Sequence, residues 1–183
     1  MQSLLFRPLL CRGFTLVEAL VAIVVAAVLL CIVAPSIQGL MENRQLEGAA
    51  TQLVADLHLV RSEATARGTA VRISFHTDPE LTCYTLHTGA PADCPCAAPA
   101  ETQECHQLQA RTLKTVRWNA SDHVRIVPNV DSILFDPVVG TSTPAATVKV
   151  AGLGGRAVHL TLNLMGRVRT CSPSGLVAGH APC

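Results

Sequence analysis

The sequence predicts an α+β fold in which a long N-terminal helix packs on an antiparallel β-sheet. Three observations carry this prediction. An apolar run extends from Phe14 to Ala34, apolar residues recur at helical spacing from Leu46 to Ala64, and beyond Gly68 the pattern changes to short alternating runs. Of the 183 residues, 49% are hydrophobic and 15% charged, and the net charge is +1. This composition suits one ordinary domain plus an apolar segment. It excludes a disordered chain, a uniformly basic nucleic-acid binder and a strongly acidic tail protein. Any nucleic-acid site must therefore be local.

The first element is a leader, residues 1–13, whose only charges are Arg7 and Arg12. Positive charge on this flank holds the N-terminus in the cytoplasm and sends the rest of the chain outward. The apolar segment, residues 14–37, opens with 21 residues from Phe14 to Ala34 in which Glu18 is the only formal charge. At about 1.5 Å per residue these reach roughly 31 Å, enough to span a bilayer's hydrocarbon core. The run is longer than that of a cleaved secretory signal and merges past Pro35 into helical sequence. Cys11 does not fit a lipoprotein site, because Leu10 is bulky and the apolar run follows the cysteine.

Glu18 is the odd residue, since a carboxylate at membrane depth costs on the order of 3 kcal/mol and is normally kept for a partner. On chemistry alone it also fits an interfacial carboxylate that reaches the headgroups. Its context is Gly13-Phe14-Thr15-Leu16-Val17-Glu18, behind a short basic leader and ahead of a long apolar helix containing Pro35. This segment resembles the processing site of type IV pilins and type II secretion pseudopilins. The resemblance implies that a prepilin peptidase cuts after Gly13 and that the new amine of Phe14 is methylated. It also implies that Glu18 neutralises the amine of a neighbouring subunit during filament assembly. A paired charge is tolerable in an apolar core where a lone one is not.

The second half of the helix, residues 38–68, places Leu46, Ala50, Leu53, Leu57, Val60 and Ala64 on one face. Glu47, Gln52, Asp56, Arg61 and Glu63 fall mostly elsewhere, and Gly68 is a C-cap. From Phe14 to Arg67 the helix runs about 80 Å, with Pro35 and Gly39 as sites of kinking or local melting. The segments Leu53-Val54-Ala55-Asp56-Leu57, Leu59 to Ala64 and Arg67-Gly68 resemble the FimT/GspH family of minor pilins, which implies a pilin-like fold.

Residues 69–183 form the β-rich domain. Seven strands are expected: 70–75, 83–87, 112–118, 123–127, 132–135, 146–150 and 158–164. Residues 89–105, rich in Pro, Ala and Cys, read as a loop, and Gly152 to Gly155 as a turn between strands. Six of the eight cysteines, Cys83, Cys94, Cys96, Cys105, Cys171 and Cys183, lie where the topology places the chain in an oxidising compartment. Disulfides are the expected use. Cys171 with Cys183 is the favoured pair, because it closes a Pro/Gly-containing tail with little else to hold it. The pairing of the other four stays open. The alternative, metal binding by Cys94, Cys96, Cys105 and His106, fits no familiar zinc spacing.

No catalytic motif stands out, no cofactor is implied, and His76, His87, His106, His123, His159 and His180 are scattered singly. An enzyme is not expected. Charge is informative instead. Residues 14–110 hold four basic side chains against ten acidic ones, a net of −6, whereas residues 111–183 hold eight against three, a net of +5.

Within the basic half, Leu164-Met165-Gly166-Arg167-Val168-Arg169 reads as the end of a strand leading into the Cys171–Cys183 loop. On a strand Arg167 and Arg169 point the same way, about 7 Å apart, close to the separation of successive phosphates. Gly166 lets the backbone approach a phosphate or simply allows a turn, and Lys149 and Arg156 extend the patch. The Gly-Arg-x-Arg arrangement is similar to the motif of FimT-type pilins that bind DNA during natural transformation. With few aromatics, and Trp118 as the sole stacking platform, phosphate-driven, sequence-independent binding is expected. The resulting expectation is a minor type IV pilin, anchored in the inner membrane with its domain outside the cytoplasm and extracellular once in the pilus. Its partners are other pilins, the prepilin peptidase and DNA. The alternative is a GspH-like pseudopilin of type II secretion.

Overall fold

The computed structural model describes residues 15–96 and 105–183, without the side chains of residues 31–38. Gly13 and Phe14 lie outside the described residues. The chain divides into two units, Met1–Leu40 and Met41–Cys183.

One helix, α1 (Leu16–Arg67), begins in the first unit and ends in the second, and it is not interrupted at Pro35 or Gly39. The local melting expected there is absent. Proline removes one hydrogen-bond donor but can remain within a helix at modest distortion. Thr15 caps the start: its Oγ1 accepts from the Glu18 amide at 3.3 Å and its carbonyl from the Ala19 amide at 3.1 Å. Apolar side chains from Leu16 to Leu30 are exposed. Among the described residues no helix is long and apolar enough to cross a membrane; the description of this run's side chains stops at Leu30.

In the second unit α1 ends at Arg67, and Gly68, at φ +61°, supplies the left-handed residue that stops it. Among the described residues nine strands follow: β1 (Val71–Thr77), β2 (Leu81–His87), β3 (Thr112–Asn119), β4 (Arg125–Pro128), β5 (Ser132–Phe135), β6 (Ser142–Thr143), β7 (Ala146–Ala151), β8 (Ala157–Leu162) and β9 (Val168–Cys171). They form two sheets, one in the order β3-β2-β1-β5-β6 and one in the order β4-β7-β8-β9. All pairings between these strands are antiparallel.

The helical stripe Leu46, Ala50, Leu53, Leu57, Val60 and Ala64 is buried in a single core. That core also takes Ile73, Tyr84 and Phe135 from the first sheet, and Ile126, Val148 and Leu160 from the second. Each large aliphatic side chain buried there stabilises the domain by about 1.5–3 kcal/mol.

Asp56, expected among the polar positions of α1, is instead buried. Its Oδ2 accepts from the Tyr84 hydroxyl at 2.6 Å, and its carboxylate receives Lys114 Nζ at 2.6 and 2.9 Å. Burial, and then this carboxylate, push the Tyr84 phenol well above its ordinary pKa. A buried charge persists here because both oxygens are partnered.

The stretch read as one strand ending near Leu164 is a hairpin. β8 stops at Leu162, and β9 returns antiparallel beside it. The turn is made by Asn163, whose carbonyl accepts from Gly166 N at 2.9 Å and whose side-chain oxygen accepts from Arg167 N at 2.9 Å. Gly166 adopts φ +72°, the left-handed position that closes a three-residue hairpin loop. Ser142 fastens the turn, donating its amide to Leu164 O at 2.9 Å and its hydroxyl to Asn163 O at 2.7 Å.

Among the described residues three disulfides are present: Cys83–Cys96, Cys94–Cys105 and Cys171–Cys183. The tail also holds itself, by burying Val177 and by a parallel bridge from Ser172 to Pro182. His87 is a core histidine. Its Nδ1 donates to the Thr88 carbonyl at 3.0 Å, Nε2 lies 2.9 Å from Ser74 Oγ, and burial lowers its pKa.

Asp56→Ala is expected to cost about 3 kcal/mol of stability, and Tyr84→Phe about 1 kcal/mol, measured by chemical denaturation. Gly166→Ala is expected to cost about 1–3 kcal/mol, since the added Cβ would stand 2.9 Å from the Gly140 carbonyl oxygen. Gly155→Ala, equally left-handed but in open space, should lose less. For His87, the unfolded chain binds a proton near pH 6.5 that the folded chain refuses, so stability should fall as the pH drops through that value. Thermal melts of His87→Gln should show a shallower slope there than those of the wild type.

Candidate nucleic-acid interface

Strand periodicity orders the second sheet. Val148, Val150, Val158, Leu160 and Leu162 turn into the core, so the alternate residues form the outer face. On β4 that face carries Arg125 and Val127, and on β7 it carries Thr147, Lys149 and Ala151. On β8 it carries Ala157, His159 and Thr161, and on β9 Arg169 and Cys171. Arg167, two residues before Arg169 and opposite Asn163 in the turn, continues the same alternation. No Asp or Glu occupies any of these positions.

The pairings fix the spacing. Arg169 lies opposite Thr161, which lies opposite Thr147, two residues from Lys149. Arg125 lies opposite Ala151, two residues beyond Lys149 on the other side. From strand spacing and rise, Lys149 is roughly 8 Å from Arg125 and roughly 12 Å from Arg169. Arg125, Lys149, Arg167 and Arg169 are exposed. Among the described residues none of the four has a side-chain ion pair or hydrogen bond. Among the described residues, then, no direct ion pair neutralises these four charges, which suits a phosphate-binding surface.

Two residues expected in this patch are placed differently. Arg156 does not join it: its guanidinium bonds Glu42 at 2.8 Å and Asn43 at 2.9 Å, tying the β7–β8 turn to α1. Its charge is matched locally. Gly166 does not offer its backbone to a ligand, because it is buried against the Gly140 carbonyl and the Arg61 side chain. It shapes the hairpin that presents Arg167 and Arg169.

Arg125 was not expected in the patch. The signal for it was present, because Val124 and Ile126 flank it in a short alternating run and force it outward. Two other basic residues serve structure: Lys114 pairs with Asp56, and Arg72 donates to Ser132 Oγ at 2.8 Å. The disulfides consume Cys94, Cys96 and Cys105, which removes the thiolates of the metal alternative. Among the described residues no group of three or more His, Cys, Asp and Glu side chains is placed to hold a metal ion.

Comparison with known proteins agrees with this architecture. The family described as type II transport protein GspH matches residues 49–166, and the prokaryotic N-terminal methylation motif matches residues 10–34, spanning Gly13, Phe14 and Glu18. A search of curated proteins finds no match. Among solved structures, the chain is similar to the type IV minor pilin FimU of Pseudomonas aeruginosa strain PAO1. In its P21 crystal form the identity is 19%, with 70% of this chain and 89% of that chain covered and a TM-score of 0.51. In the P65 form the identity is 21%, the coverage 73% and 98%, and the TM-score 0.45. The first likeness shows that the fold is that of a minor pilin. With the family match covering well over half of its length, the chain belongs to the GspH family of type IV pilin-like proteins.

Proposed function

We propose that this protein is a minor type IV pilin that binds extracellular DNA without sequence preference and serves its uptake in natural transformation. The observation that carries this reading is the outer face of the second sheet, where Arg125, Lys149, Arg167 and Arg169 stand exposed with no acidic strand neighbour. Arg167 and Arg169 grip successive phosphates through forked guanidinium hydrogen bonds. Arg125 and Lys149 add charge along the same face. The antiparallel ladder and the Ser142 contacts hold the pair in place before DNA arrives.

In this reading prepilin peptidase cleaves between Gly13 and Phe14, and the amine of Phe14 is methylated. The apolar segment anchors the protein in the inner membrane, with the N-terminus cytoplasmic and residues 69–183 in the periplasm, until the subunit joins other pilins. Glu18 then pairs with a neighbour's N-terminal amine as both enter the filament core. The exposed apolar side chains from Leu16 to Leu30 support this role, because an apolar run of this extent calls for cover by lipid or by other subunits.

A second reading is favoured by the family match itself, which bears the description of a type II transport protein. The protein is then a structural pseudopilin, and the basic face meets other pseudopilins or acidic cargo.

Mobility-shift titrations of the full-length protein in detergent separate the two. Random-sequence duplexes should bind with similar affinity, and affinity should fall steeply as salt rises. Arg167→Gln with Arg169→Gln should weaken binding at least tenfold at unchanged melting temperature. The same pair should reduce the slope of log affinity against log salt by roughly 1.8. If the wild type fails to shift DNA even at low salt, the secretion reading replaces this one.

A further inference from the structure

The basic face leads to a cavity of about 270 Å³ at one end of the second sheet. Its lining includes Trp118 from the end of β3, Ala120 from the short turn after it, and Leu153 from the β7–β8 turn. Arg125 and Ala151 also line it, and they are a cross-strand pair on the outer face. The cavity is therefore continuous with the arginine and lysine surface. Trp118 packs one side against Tyr84, with ring centroids 5.6 Å apart, and turns the remainder toward the cavity.

Resting on the DNA-binding reading, we propose that this cavity receives a nucleobase from a single strand whose phosphates cross the outer face of the second sheet. Three features select a base over other occupants. The cavity is smaller than the roughly 300–1,000 Å³ of most small-molecule sites and carries an indole on which a planar ring stacks. Arg125, in the lining and without a partner among the described residues, meets the phosphate beside that base. Glu80, also in the lining, repels a phosphate but accepts from the exocyclic amine of a base. From Arg125 to Arg167 the face runs roughly 20–25 Å, counted from strand spacing and rise, the reach of a few nucleotides. A duplex keeps its bases stacked inside and cannot fill the cavity without unpairing.

The chain contains a single tryptophan, so its fluorescence can be read for this cavity without other tryptophans. Full-length protein in detergent is titrated with a mixed-sequence single-stranded 12-mer and with the matching duplex, following both mobility shift and tryptophan emission. The single strand should quench Trp118 with the same midpoint as its mobility shift, and the duplex should leave emission nearly unchanged. Trp118→Leu should weaken single-strand binding roughly 5- to 100-fold, the range of one lost base stack. Because Trp118 also packs on the core, Ala120→Leu provides a second variant, which fills the cavity from an exposed turn position without altering charge. It should abolish quenching and weaken single-strand binding about tenfold, with duplex binding and melting temperature retained.

Single-strand binding without quenching, or quenching and affinity unaffected by Ala120→Leu, overturns the proposal. Duplex binding without single-strand binding overturns it while leaving the DNA-capture reading intact. Failure of both nucleic acids to bind sinks the two together.

Discussion

One face of α1, from Leu46 to Ala64, is the surface on which the domain depends. Both sheets contribute to the core that covers it, and neither has an apolar partner of comparable extent elsewhere among the described residues. The constraint reaches further than stability. Strand side chains alternate, so turning Val148, Val150, Leu160 and Leu162 toward the helix decides which residues face away. The basic surface follows from the core by parity. A one-residue slip of β7 or β9 would bury a lysine or an arginine, which gives the register a strong energetic lock.

The same helix sorts the cations into two groups. Lys114 and Arg156 approach acids of α1, Asp56 and Glu42, and are neutralised there. Arg125, Lys149, Arg167 and Arg169 face the opposite way and form no ion pair among the described residues. The segregation of charge between the chain's halves thus has two outcomes, one internal and one outward. Pairing with α1 also lets Asp56 sit inside the core, because Lys114 and the Tyr84 hydroxyl occupy its oxygens.

Most of the architecture is written in local pattern. The helical stripe is legible because 3–4 spacing survives over five turns, and Gly68 marks its end by conformation. What escapes is what depends on partners far away in sequence. Arg156 looks free in sequence, yet meets a residue 114 positions earlier. Asp56 looks polar for the same reason, with Lys114 58 positions away. β6 is only two residues long and has no periodicity to detect. β9 is hidden because the apolar alternation runs through the turn, and Asn163 with Gly166 interrupts it by hydrogen bonding rather than by polarity. The family match ends at Gly166, one residue short of Arg167.

The Cys171–Cys183 crosslink bears on mechanics. β9 is an edge strand, held on one side by its ladder to β8. A ligand that tugs on Arg167 and Arg169 loads this edge, and an edge ladder opened from one end yields bond by bond, like a zipper. Here the loose end is covalently looped back onto the strand, and Val177 is sunk in the core within that loop. Peeling therefore has no free end to start from on the tail side. Tension entering at the arginines is shared across the β8–β9 ladder and passed through the sheet toward the core, so the frame as a whole, rather than one edge strand, carries the load.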